Sequence, residues 1–232
     1  MITQGFIFAR GGSKKLPKKN VKLLCGKPLI QYSIEIALQT KIIDKIFVST
    51  DDDDIAKISK SLGAIVINRP SELSQDSSPE WEAWKHAIYW VQERYGKFEQ
   101  FVSLPTTSPL RIVDDVEAAI TKKNNSNADI CLAITPSNHN PFFNMVELLN
   151  DSIKLVNISD KLITRRQDAP KIFNITTAVY VANVDFILNK NNLFDGKVVS
   201  IEIPKNRSVD IDDIYDFNFA ESILKNNLNK NN

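Results

Sequence analysis

Gly5-Phe6-Ile7-Phe8-Ala9 is a short apolar run near the start of the chain, and the basic stretch Arg10-Gly11-Gly12-Ser13-Lys14-Lys15-Leu16-Pro17-Lys18-Lys19-Asn20 follows it directly. The apolar run has the length and the composition of a β-strand. In an open α/β sheet, ligands bind beyond the carboxyl ends of the strands, where loops leave the sheet. The basic stretch is therefore the first candidate for a functional loop.

Similar runs, rich in β-branched and aromatic residues, alternate along the chain with segments in which apolar residues recur every three or four positions. The predicted strands are residues 6–9, 45–49, 64–67, 101–104, 129–134, 176–182 and 198–203. The predicted helices are residues 29–38, 54–62, 80–95, 113–122 and about 213–224. This alternation predicts an α/β, doubly wound fold, whose mostly parallel sheet carries helices on both faces.

Residues 137–170 interrupt this alternation. They mix polar residues with short alternating apolar pairs, such as Ile153 with Leu155 and Val156 with Ile158. We expect an inserted β-rich arm or flap there, within a single domain that spans residues 1–232. A chain of 232 residues is long enough to bury a substantial core.

The overall composition argues against several classes of protein. Apolar residues make up 43% and charged residues 25% of the chain, which are ordinary values for a globular domain. A formal net charge of +1 argues against a surface built for nucleic acid or anionic membranes. Cys25 and Cys131 suggest neither a disulfide framework nor a zinc site, and no apolar run approaches the roughly 20 residues of a membrane helix. We therefore expect a cytoplasmic protein.

The residue types of the loop at positions 10–20 suit a polyphosphate. Gly11 and Gly12 let the backbone approach a ligand, so that N–H groups can point at phosphate oxygens. Asn20 can hydrogen-bond a phosphate or a sugar hydroxyl. The spacing matches neither the dinucleotide-binding motif nor the P-loop, so charge alone leaves a basic surface loop as an alternative. The cations of the loop are Arg10, Lys14, Lys15, Lys18 and Lys19.

Residues 9–20 closely resemble the signature of the acylneuraminate (CMP-sialic acid) cytidylyltransferase family, Ala-Arg-x-x-Ser-Lys-x-Leu-Pro-x-Lys-Asn. The resemblance implies a fold like that of nucleotide-diphospho-sugar transferases. It also implies an enzyme that transfers CMP from CTP to the anomeric hydroxyl of a nonulosonic, sialic-type sugar acid and releases pyrophosphate. Further segments similar to motifs of that family are Ser49-Thr50-Asp51, Arg69-Pro70-Ser71-Glu72-Leu73-Ser74-Gln75-Asp76, Pro105-Thr106-Thr107-Ser108-Pro109-Leu110-Arg111, and Ser208-Val209-Asp210-Ile211-Asp212.

The same resemblance implies roles for individual residues. Asp210 and Asp212 would hold Mg²⁺, since side chains two positions apart on an extended segment point the same way and can reach one hard cation. The residues implied in catalysis are Arg10, Lys19, Asp210 and Asp212. Those implied for the nucleotide are Ala9, Arg10, Gly11, Gly12, Ser13, Lys19, Asn20, Arg69, Ser77 and Ser108, and those for the acceptor are Arg111, Arg166 and Thr177.

Several of these segments have a structural role as the alternative. Thr50 and Asp51 are more often helix caps than nucleotide contacts, and the same holds for residues 52–54. Residues 70–78 could form a turn, with a cap at Ser77 or Ser78. Ser108 and Arg111 could hold the turn after their strand. His139 is best described as a loop histidine.

The chain departs from the family pattern at Pro105-Thr106, where the family has an amide that faces the nucleotide or the sugar, and at several positions of the acceptor half. Pro105 and Thr106 replace a Gln-Pro pair, and a family lysine is lost around Phe143. Asn174 replaces an arginine, and Thr176-Thr177 replace an Asn-Gly pair. We therefore place a legionaminic- or pseudaminic-type acid beside N-acetylneuraminate as a candidate acceptor. No residue stands out as a general base.

The family forms dimers in which the inserted segment reaches a neighbour's site. The resemblance therefore implies a homodimer joined through residues 137–170. Two rival interpretations are an octulosonate cytidylyltransferase and a catalytically silent nucleotide-binding homologue.

Overall fold

The computed structural model describes residues 1–159 and 161–230. Its strands are β1 (Thr3–Phe8), β2 (Leu23–Leu24), β3 (Lys27–Pro28), β4 (Lys45–Thr50), β5 (Ile65–Asn68), β6 (Gln100–Ser103), β7 (Ile130–Pro136), β8 (Val146–Leu149), β9 (Ser152–Leu155), β10 (Phe173–Asn183) and β11 (Val198–Glu202). Its α-helices are α1 (Leu29–Gln39), α2 (Asp53–Ser61), α3 (Glu80–Tyr95), α4 (Val113–Asn125), α5 (Val184–Asn189) and α6 (Ile214–Lys230).

Seven strands form one sheet in the order β11-β7-β10-β6-β1-β4-β5. β1 pairs in parallel with both β4 and β6. The pairs β4 with β5 and β7 with β11 are also parallel. Only β10 among these seven strands runs antiparallel to its neighbours, β6 and β7. The prediction of an α/β fold with a mostly parallel sheet is confirmed.

The direction of β10 and the helix α5 were not predicted. The direction of β10 depends on where the chain re-enters the sheet after residues 137–170, which no local pattern encodes. The helix α5 has six residues, too few for its apolar spacing to be told from that of a strand end. It continues directly from β10 and covers one end of the sheet.

Both faces of the sheet are buried, because helices pack on each of them. Successive residues of a strand point to opposite faces. Phe6 packs on one face, where its ring centroid lies 5.5 Å from that of Phe47 and 4.6 Å from that of Phe101. Side chains of α3 and α5 cover this aromatic layer. Ile7 packs on the other face, beneath α1, α2 and α4. Ligands must therefore bind at the ends of the strands rather than on the faces.

An irregularity in β10 shapes the edge of the sheet that carries the candidate loops. The register of β10 against β7 shifts between Thr176 and Tyr180. A bulge of this kind takes residues out of the regular ladder and re-aims their side chains. Thr177 lies within it, next to the residues that follow β6.

The inserted segment is described at residues 137–159 and 161–170, and Asp160 lies outside the described residues. Its strands β8 and β9 form an antiparallel hairpin that is separate from the main sheet. Throughout the described part of the chain, no helix combines the length and the apolar character needed to cross a membrane.

Candidate functional site

The loop after β1 is fixed at both of its ends. Ala9 is buried and donates its N–H to the carbonyl of Ser49 at 3.0 Å. Asn20 is also buried: its Nδ2 donates to the carbonyl of Arg10 at 3.0 Å, and its Oδ1 accepts from Oγ1 of Thr106 at 2.6 Å. Asn20, which we predicted to contact the nucleotide, is thus used within the protein to hold the loop.

Gly11 has no room for a side chain. A Cβ atom there would lie 2.6 Å from Oδ2 of Asp52, and the N–H of Gly11 donates to Oδ1 of Asp51 at 3.0 Å. Asp52 caps α2 by accepting from the N–H of Ile55 at 2.9 Å. A Cβ atom added at Gly12 would have no neighbouring atom within 4 Å. The helix cap predicted in this region is therefore present, and Asp51 ties it to the N-terminal loop.

Asp76 holds two cations of the same loop. Nη2 of Arg10 lies 2.6 Å from Oδ1 of Asp76, and Lys14 forms an ion pair with the other carboxylate oxygen. Hydrogen bonds from Lys14 and Arg10 lower the pKa of Asp76. Ser13, next to Lys14, is half-buried. The carboxylates of Asp51 and Asp76 therefore accept hydrogen bonds from loop groups that are equally suited to bind phosphate oxygens.

Lys19 connects the loop to the Asp-x-Asp segment near the other end of the chain. Its Nζ donates to the carbonyl of Ile211 at 2.8 Å. Burial lowers the pKa of Lys19, the charges of Asp212 and Asp210 raise it, and the charge of Arg10 lowers it. Lys19 is thus within electrostatic range of the other three residues predicted to be catalytic. The contact between the loop and the Asp210–Asp212 segment is the hydrogen bond from Lys19 to Ile211.

Asp210 begins a chain of hydroxyl groups. Its Oδ1 accepts from Oγ1 of Thr177 at 2.9 Å. Oγ1 of Thr177 lies 2.7 Å from Oγ of Ser108 and 3.0 Å from Oγ1 of Thr107. Ser108 is fully buried, whereas Asp210 is exposed. Ser108 and Thr177, which were predicted for different substrates, therefore contact one another beside the predicted metal ligand.

The acidic groups at this site suit a cation that a nucleotide brings with it. Asp210 and Asp212 are both exposed. Asp216 lies close by and accepts from the N–H of Asp212 at 3.0 Å. Within the described residues, no three His, Cys, Asp or Glu side chains are grouped so that they could hold a metal ion. Two carboxylates fit Mg²⁺ if phosphate oxygens and water complete its coordination.

A cavity of about 240 Å³ lies beside the N-terminal loop. Arg69 is fixed in its wall, where Nε donates to Oγ of Ser49 at 3.0 Å and Nη2 donates to the carbonyl of the same residue at 2.7 Å. The guanidinium group also lies over the ring of Phe8, 5.6 Å from its centroid. Burial lowers the pKa of Arg69. The cavity is lined by Phe8, Arg10, Arg69, Leu73, Gln75, Asp76, Ser78, Glu80 and Ala83.

Ser77 is exposed and does not line this cavity. The alternative prediction, a serine cap on α3, is wrong, because Pro79 precedes the helix and no side chain caps it. Oγ of Ser78 donates instead to the carbonyl of Glu72 at 2.6 Å. This contact closes the turn that carries Asp76 toward the N-terminal loop.

A cleft of about 700 Å³ opens on the other side of Asp210. Lys205 is the one lysine or arginine among the described residues that line it, and its Nζ hydrogen-bonds Oδ1 of Asn138. The cleft is lined by both polar and apolar residues. The lining residues are Thr135, Pro136, Asn138, His139, Asn174, Ile175, Thr176, Lys205, Asn206, Ser208, Val209, Asp210, Asp216, Phe219 and Ile223.

Arg111 does not reach this cleft. It is 3% exposed, and its guanidinium group donates to the carbonyl of Ala178 at 2.6 Å, to Oγ of Ser33 at 2.7 Å and to the carbonyl of Pro105. Burial lowers its pKa to about 9, so the side chain stays protonated at neutral pH. The structure therefore contradicts the acceptor-binding role of Arg111 and supports the alternative, a cation that holds the turn after β6.

Arg166 lies in a neighbouring pocket of about 460 Å³ rather than in the cleft beside Asp210. Its guanidinium group donates to the carbonyl of Asn138, close to where the inserted segment leaves the sheet. His139 lines both cavities. Within one copy of the chain, Arg166 is therefore not placed beside Asp210.

Sequence reasoning missed Glu80, Lys205 and Asp216 as components of these cavities. Glu80 and Asp216 lie in the first turns of α3 and α6, where acidic residues are ordinary and attract no attention. Lys205 begins a single 3₁₀ turn, Lys205–Arg207, in a segment with many basic residues. The only available signal for Lys205 and Asp216 was their closeness in sequence to Asp210.

Comparison with known proteins identifies relatives of this chain. The profile of the family described as "Cytidylyltransferase" matches residues 5–199. The chain is 30% identical over 220 residues to the CMP-N,N'-diacetyllegionaminic acid synthase of Campylobacter jejuni subsp. jejuni, which covers 94% of this chain and 93% of that protein. It is also 30% identical over 215 residues to the N-acylneuraminate cytidylyltransferase of Escherichia coli O18:K1:H7, covering 93% of this chain and 50% of that protein.

A solved structure shares the fold. CMP:2-keto-3-deoxy-manno-octonic acid synthetase, complexed with CTP, superposes with a TM-score of 0.74 over 98% of this chain and 100% of that chain. The sequence identity is 16%. This comparison confirms the predicted nucleotidyltransferase fold.

Proposed function

The chain belongs to the acylneuraminate cytidylyltransferase family, and we propose that it transfers CMP from CTP to the anomeric hydroxyl of a nonulosonic sugar acid, with release of pyrophosphate. One observation carries the proposal. The hydrogen bond from Lys19 to the carbonyl of Ile211 joins the basic loop to the Asp210–Asp212 segment. Cations and acidic groups therefore meet at one edge of the sheet. A polyphosphate and its counterion need that combination.

The triphosphate of CTP binds the N-terminal loop in this proposal. Phosphate oxygens replace the carboxylates of Asp51 and Asp76 on the Gly11 N–H and on Arg10. Arg10 and Lys19 then offset the negative charge that develops on the departing pyrophosphate. The geometry supports this exchange because these donors already hold anionic groups.

Asp210 and Asp212 are the residues that would hold Mg²⁺. When bound, the ion supplies Lewis-acid stabilisation of the phosphates and reduces their repulsion of an anionic acceptor. Thr177 hydrogen-bonds Asp210 and so fixes the orientation of that carboxylate.

The acceptor occupies the cleft beside Asp210. The reacting hydroxyl must lie near the α-phosphorus, and this cleft is lined by Asp210, one of the two residues proposed to hold the metal ion. Lys205 is the cation on its wall that can pair with the sugar carboxylate, while Ile175 and Phe219 offer apolar surface to acylamino or deoxy groups. Asn174 and Thr176 supply uncharged hydrogen-bonding groups.

The relatives favour a nonulosonate over an octulosonate. The two proteins that are 30% identical to this chain are named for legionaminic acid and for N-acylneuraminate. The octonic acid synthetase shares the fold at 16% identity, which shows only the architecture. Arg10, Lys19, Asp210 and Asp212 are all present, and Lys19 joins the N-terminal loop to the Asp210–Asp212 segment, which argues against a silent homologue.

The test is incubation of the purified protein with CTP, Mg²⁺ and a panel of nonulosonates and octulosonates, with mass-spectrometric detection of CMP-sugars. We expect the products to be a CMP-nonulosonate and pyrophosphate. Comparing the rates of product formation with legionaminic-type, pseudaminic-type and N-acetylneuraminic acids identifies the preferred acceptor. Asp210→Ala should abolish turnover. Product from octulosonate alone would contradict the proposed acceptor, and CTP binding without turnover of any acid would support the silent alternative.

We further propose a homodimer joined through the inserted segment. Val146 lies opposite Leu155 in the hairpin, and Leu148 lies opposite Ile153, so that these four side chains share one face. They are 51%, 36%, 76% and 67% exposed, respectively. The other face carries the ion pair between Glu147 and Lys154. An apolar hairpin face of this kind indicates an interface, and a second copy is the partner that family membership suggests.

A cytoplasmic location is part of the same proposal. Cys25 and Cys131 are both free thiols, which suits a reducing compartment. Fractionation of cells that express the protein would test it.

A further inference from the structure

Asp210 is supported by hydroxyl groups from two other segments of the chain. Oγ1 of Thr177 donates to Oδ1 of Asp210 at 2.9 Å. The same Thr177 oxygen lies 2.7 Å from Oγ of Ser108 and 3.0 Å from Oγ1 of Thr107. Asp210 is exposed at the cleft, whereas Ser108 is fully buried behind it. Three hydroxyl groups therefore stand behind one carboxylate.

The number of protons fixes the direction of each of these hydrogen bonds. A hydroxyl group has one proton to donate and two lone pairs that accept, whereas an ionised carboxylate only accepts. Thr177 donates its one proton to Asp210, so Ser108 and Thr107 must both donate to Thr177. The hydroxyl group of Thr177 then has neither a proton nor a lone pair left for a substrate.

The backbone beside Asp210 is fixed to the same turn. The N–H of Ile211 donates to the carbonyl of Thr107 at 2.8 Å, and the carbonyl of Ile211 accepts from Lys19. The side chain of Ile211 is fully buried. The segment that carries Asp210 is therefore joined to the turn after β6 through its backbone as well as through its side chain.

The bulge in β10 aims Thr177 at Asp210. Ala178 lies within the register shift, and its N–H donates to Oγ1 of Thr176 at 3.1 Å. The carbonyl of Ala178 accepts from Nε of Arg111 at 2.6 Å. Both polar backbone groups of this residue are satisfied by side chains of the protein, so the bulge needs no ligand to keep its shape.

We propose that Thr177 and Ser108 are positioning residues for the metal-binding carboxylate rather than substrate contacts. This inference rests on the proposed role of Asp210 in holding Mg²⁺. Because Thr177 keeps Oδ1 of Asp210, Oδ2 is the oxygen left for the cation, and it accepts no hydrogen bond within the described residues. The family pattern has glycine at position 177, which has no hydroxyl group, so this support is a property of this chain.

The test is equilibrium titration of the whole protein with CTP, once with Mg²⁺ and once with EDTA, and without a sugar acid. The ratio of the two affinities measures how much Mg²⁺ strengthens CTP binding, and Asp210→Asn shows the full loss of that effect. We expect Thr177→Val to lower the ratio about tenfold, as loss of a partner behind a metal ligand typically does, and to leave the affinity in EDTA unchanged. Thr177→Ser, which keeps the hydroxyl group, should retain the ratio of the parent protein.

Two further variants grade the effect. Thr135→Val is the matched control, because Thr135 lines the same cleft and its hydroxyl group has no hydrogen-bond partner within the described residues. It should leave the ratio unchanged. Ser108→Ala should lower the ratio less than Thr177→Val does, because Thr107 still donates to Thr177 and the proton of Thr177 stays on Asp210.

An unchanged ratio in Thr177→Val, beside a lowered one in Asp210→Asn, would overturn this inference alone. A higher KM for the sugar acid with an unchanged ratio would show that Thr177 contacts the acceptor instead. An equal loss of affinity with Mg²⁺ and with EDTA would show a disrupted site, and urea unfolding of each variant checks for that. If Asp210→Asn keeps the ratio of the parent protein, the proposed metal site fails as well.

Discussion

The ammonium group of Lys19 donates a hydrogen bond to the backbone carbonyl of Ile211, 2.8 Å away and 192 residues later in the chain. This contact holds a cation between the backbone of the Asp210–Asp212 segment and the loop after β1. Burial lowers the pKa of Lys19, and the nearby acidic residues only partly offset that effect. The charge state of Lys19 is therefore more sensitive to alkaline pH than that of an exposed lysine.

The first prediction follows from this sensitivity. Above about pH 7.5 the phosphates of CTP are fully ionised, because their last pKa is about 6. As the pH rises further, Lys19 loses its proton at a pH below the usual lysine pKa. CTP must then bind together with a proton on Lys19, which weakens its affinity. We expect CTP affinity to fall as the pH rises, and to do so at a lower pH than an unperturbed lysine would give.

The control is Lys19→Arg, whose guanidinium group keeps its proton at alkaline pH. Isothermal titration at several pH values should show a flatter profile for this variant, whatever its affinity at neutral pH. Lys19→Met should weaken CTP binding roughly tenfold to a hundredfold at neutral pH, since it removes a hydrogen bond to a charged group. Parallel profiles for the parent protein and Lys19→Arg would show that Lys19 does not set the alkaline limit.

Gly11 and Gly12 provide a matched pair for the second prediction. A Cβ at Gly11 would meet Oδ2 of Asp52 at 2.6 Å, whereas one at Gly12 would meet nothing within 4 Å. Gly11→Ala should displace the Asp52 cap and lower the free energy of unfolding by about 1 kcal/mol. It should also weaken CTP binding, because the displaced loop no longer presents its donors. Gly12→Ala should change stability by less than about 0.5 kcal/mol.

Urea unfolding and CTP titration of both variants check this prediction. Equal effects of the two substitutions would show that the close approach of Gly11 to Asp52 does not constrain the loop.

The sequence could predict the strands and the grouping of the loops that follow them because both depend on local patterns. Apolar runs specify β1, β4 and β6, and the motifs lie in the loops that follow these strands. Parallel pairing then brings those loops to one edge of the sheet. The meeting of Lys19 with Ile211 could be expected in the same way, since both segments match one family.

The acceptor half could not be predicted to the same extent because its geometry depends on tertiary placement. Thr177 reaches Asp210 through a bulge in β10, an antiparallel strand whose direction the sequence does not encode. The burial of Arg111 depends on Ser33 and Ala178, which are distant in sequence. An arginine that matches a family motif therefore suggested a substrate contact, whereas the structure shows that Arg111 bonds within the protein.

The third prediction concerns Arg111. Arg111→Met should leave the carbonyls of Ala178 and Pro105 without their donor and lower the free energy of unfolding by about 2–4 kcal/mol. Arg94→Met is the control, since Arg94 is exposed over Trp90 and should contribute less than about 1 kcal/mol. Urea unfolding measures both. Unchanged stability together with a higher KM for the sugar acid would restore Arg111 as an acceptor residue.

The fourth prediction compares Lys205 with Arg166. If Lys205 binds the acceptor carboxylate, Lys205→Met should raise the KM for the sugar acid by about tenfold or more and leave the KM for CTP nearly unchanged. Lys205→Arg should retain most of the affinity, because the charge remains. Steady-state kinetics with each substrate varied in turn provide the measurement. A larger effect from Arg166→Met would show that Arg166 reaches the cleft from a second copy's arm.

The fifth prediction tests the hairpin face. Leu148 and Ile153 lie directly opposite each other and are 76% and 67% exposed. Burying them against a second copy removes apolar surface from water at about 25 cal/mol per Å², and a charge in the middle of that surface cannot be buried unpaired. Leu148→Asp should therefore convert a dimer to a monomer in sedimentation experiments. Leu38→Asp, at an exposed position on α1, should leave the dimer intact. If Leu148→Asp sediments as the parent protein does, the hairpin face is not the dimer contact, and a monomeric parent protein that is fully active would refute the dimer itself.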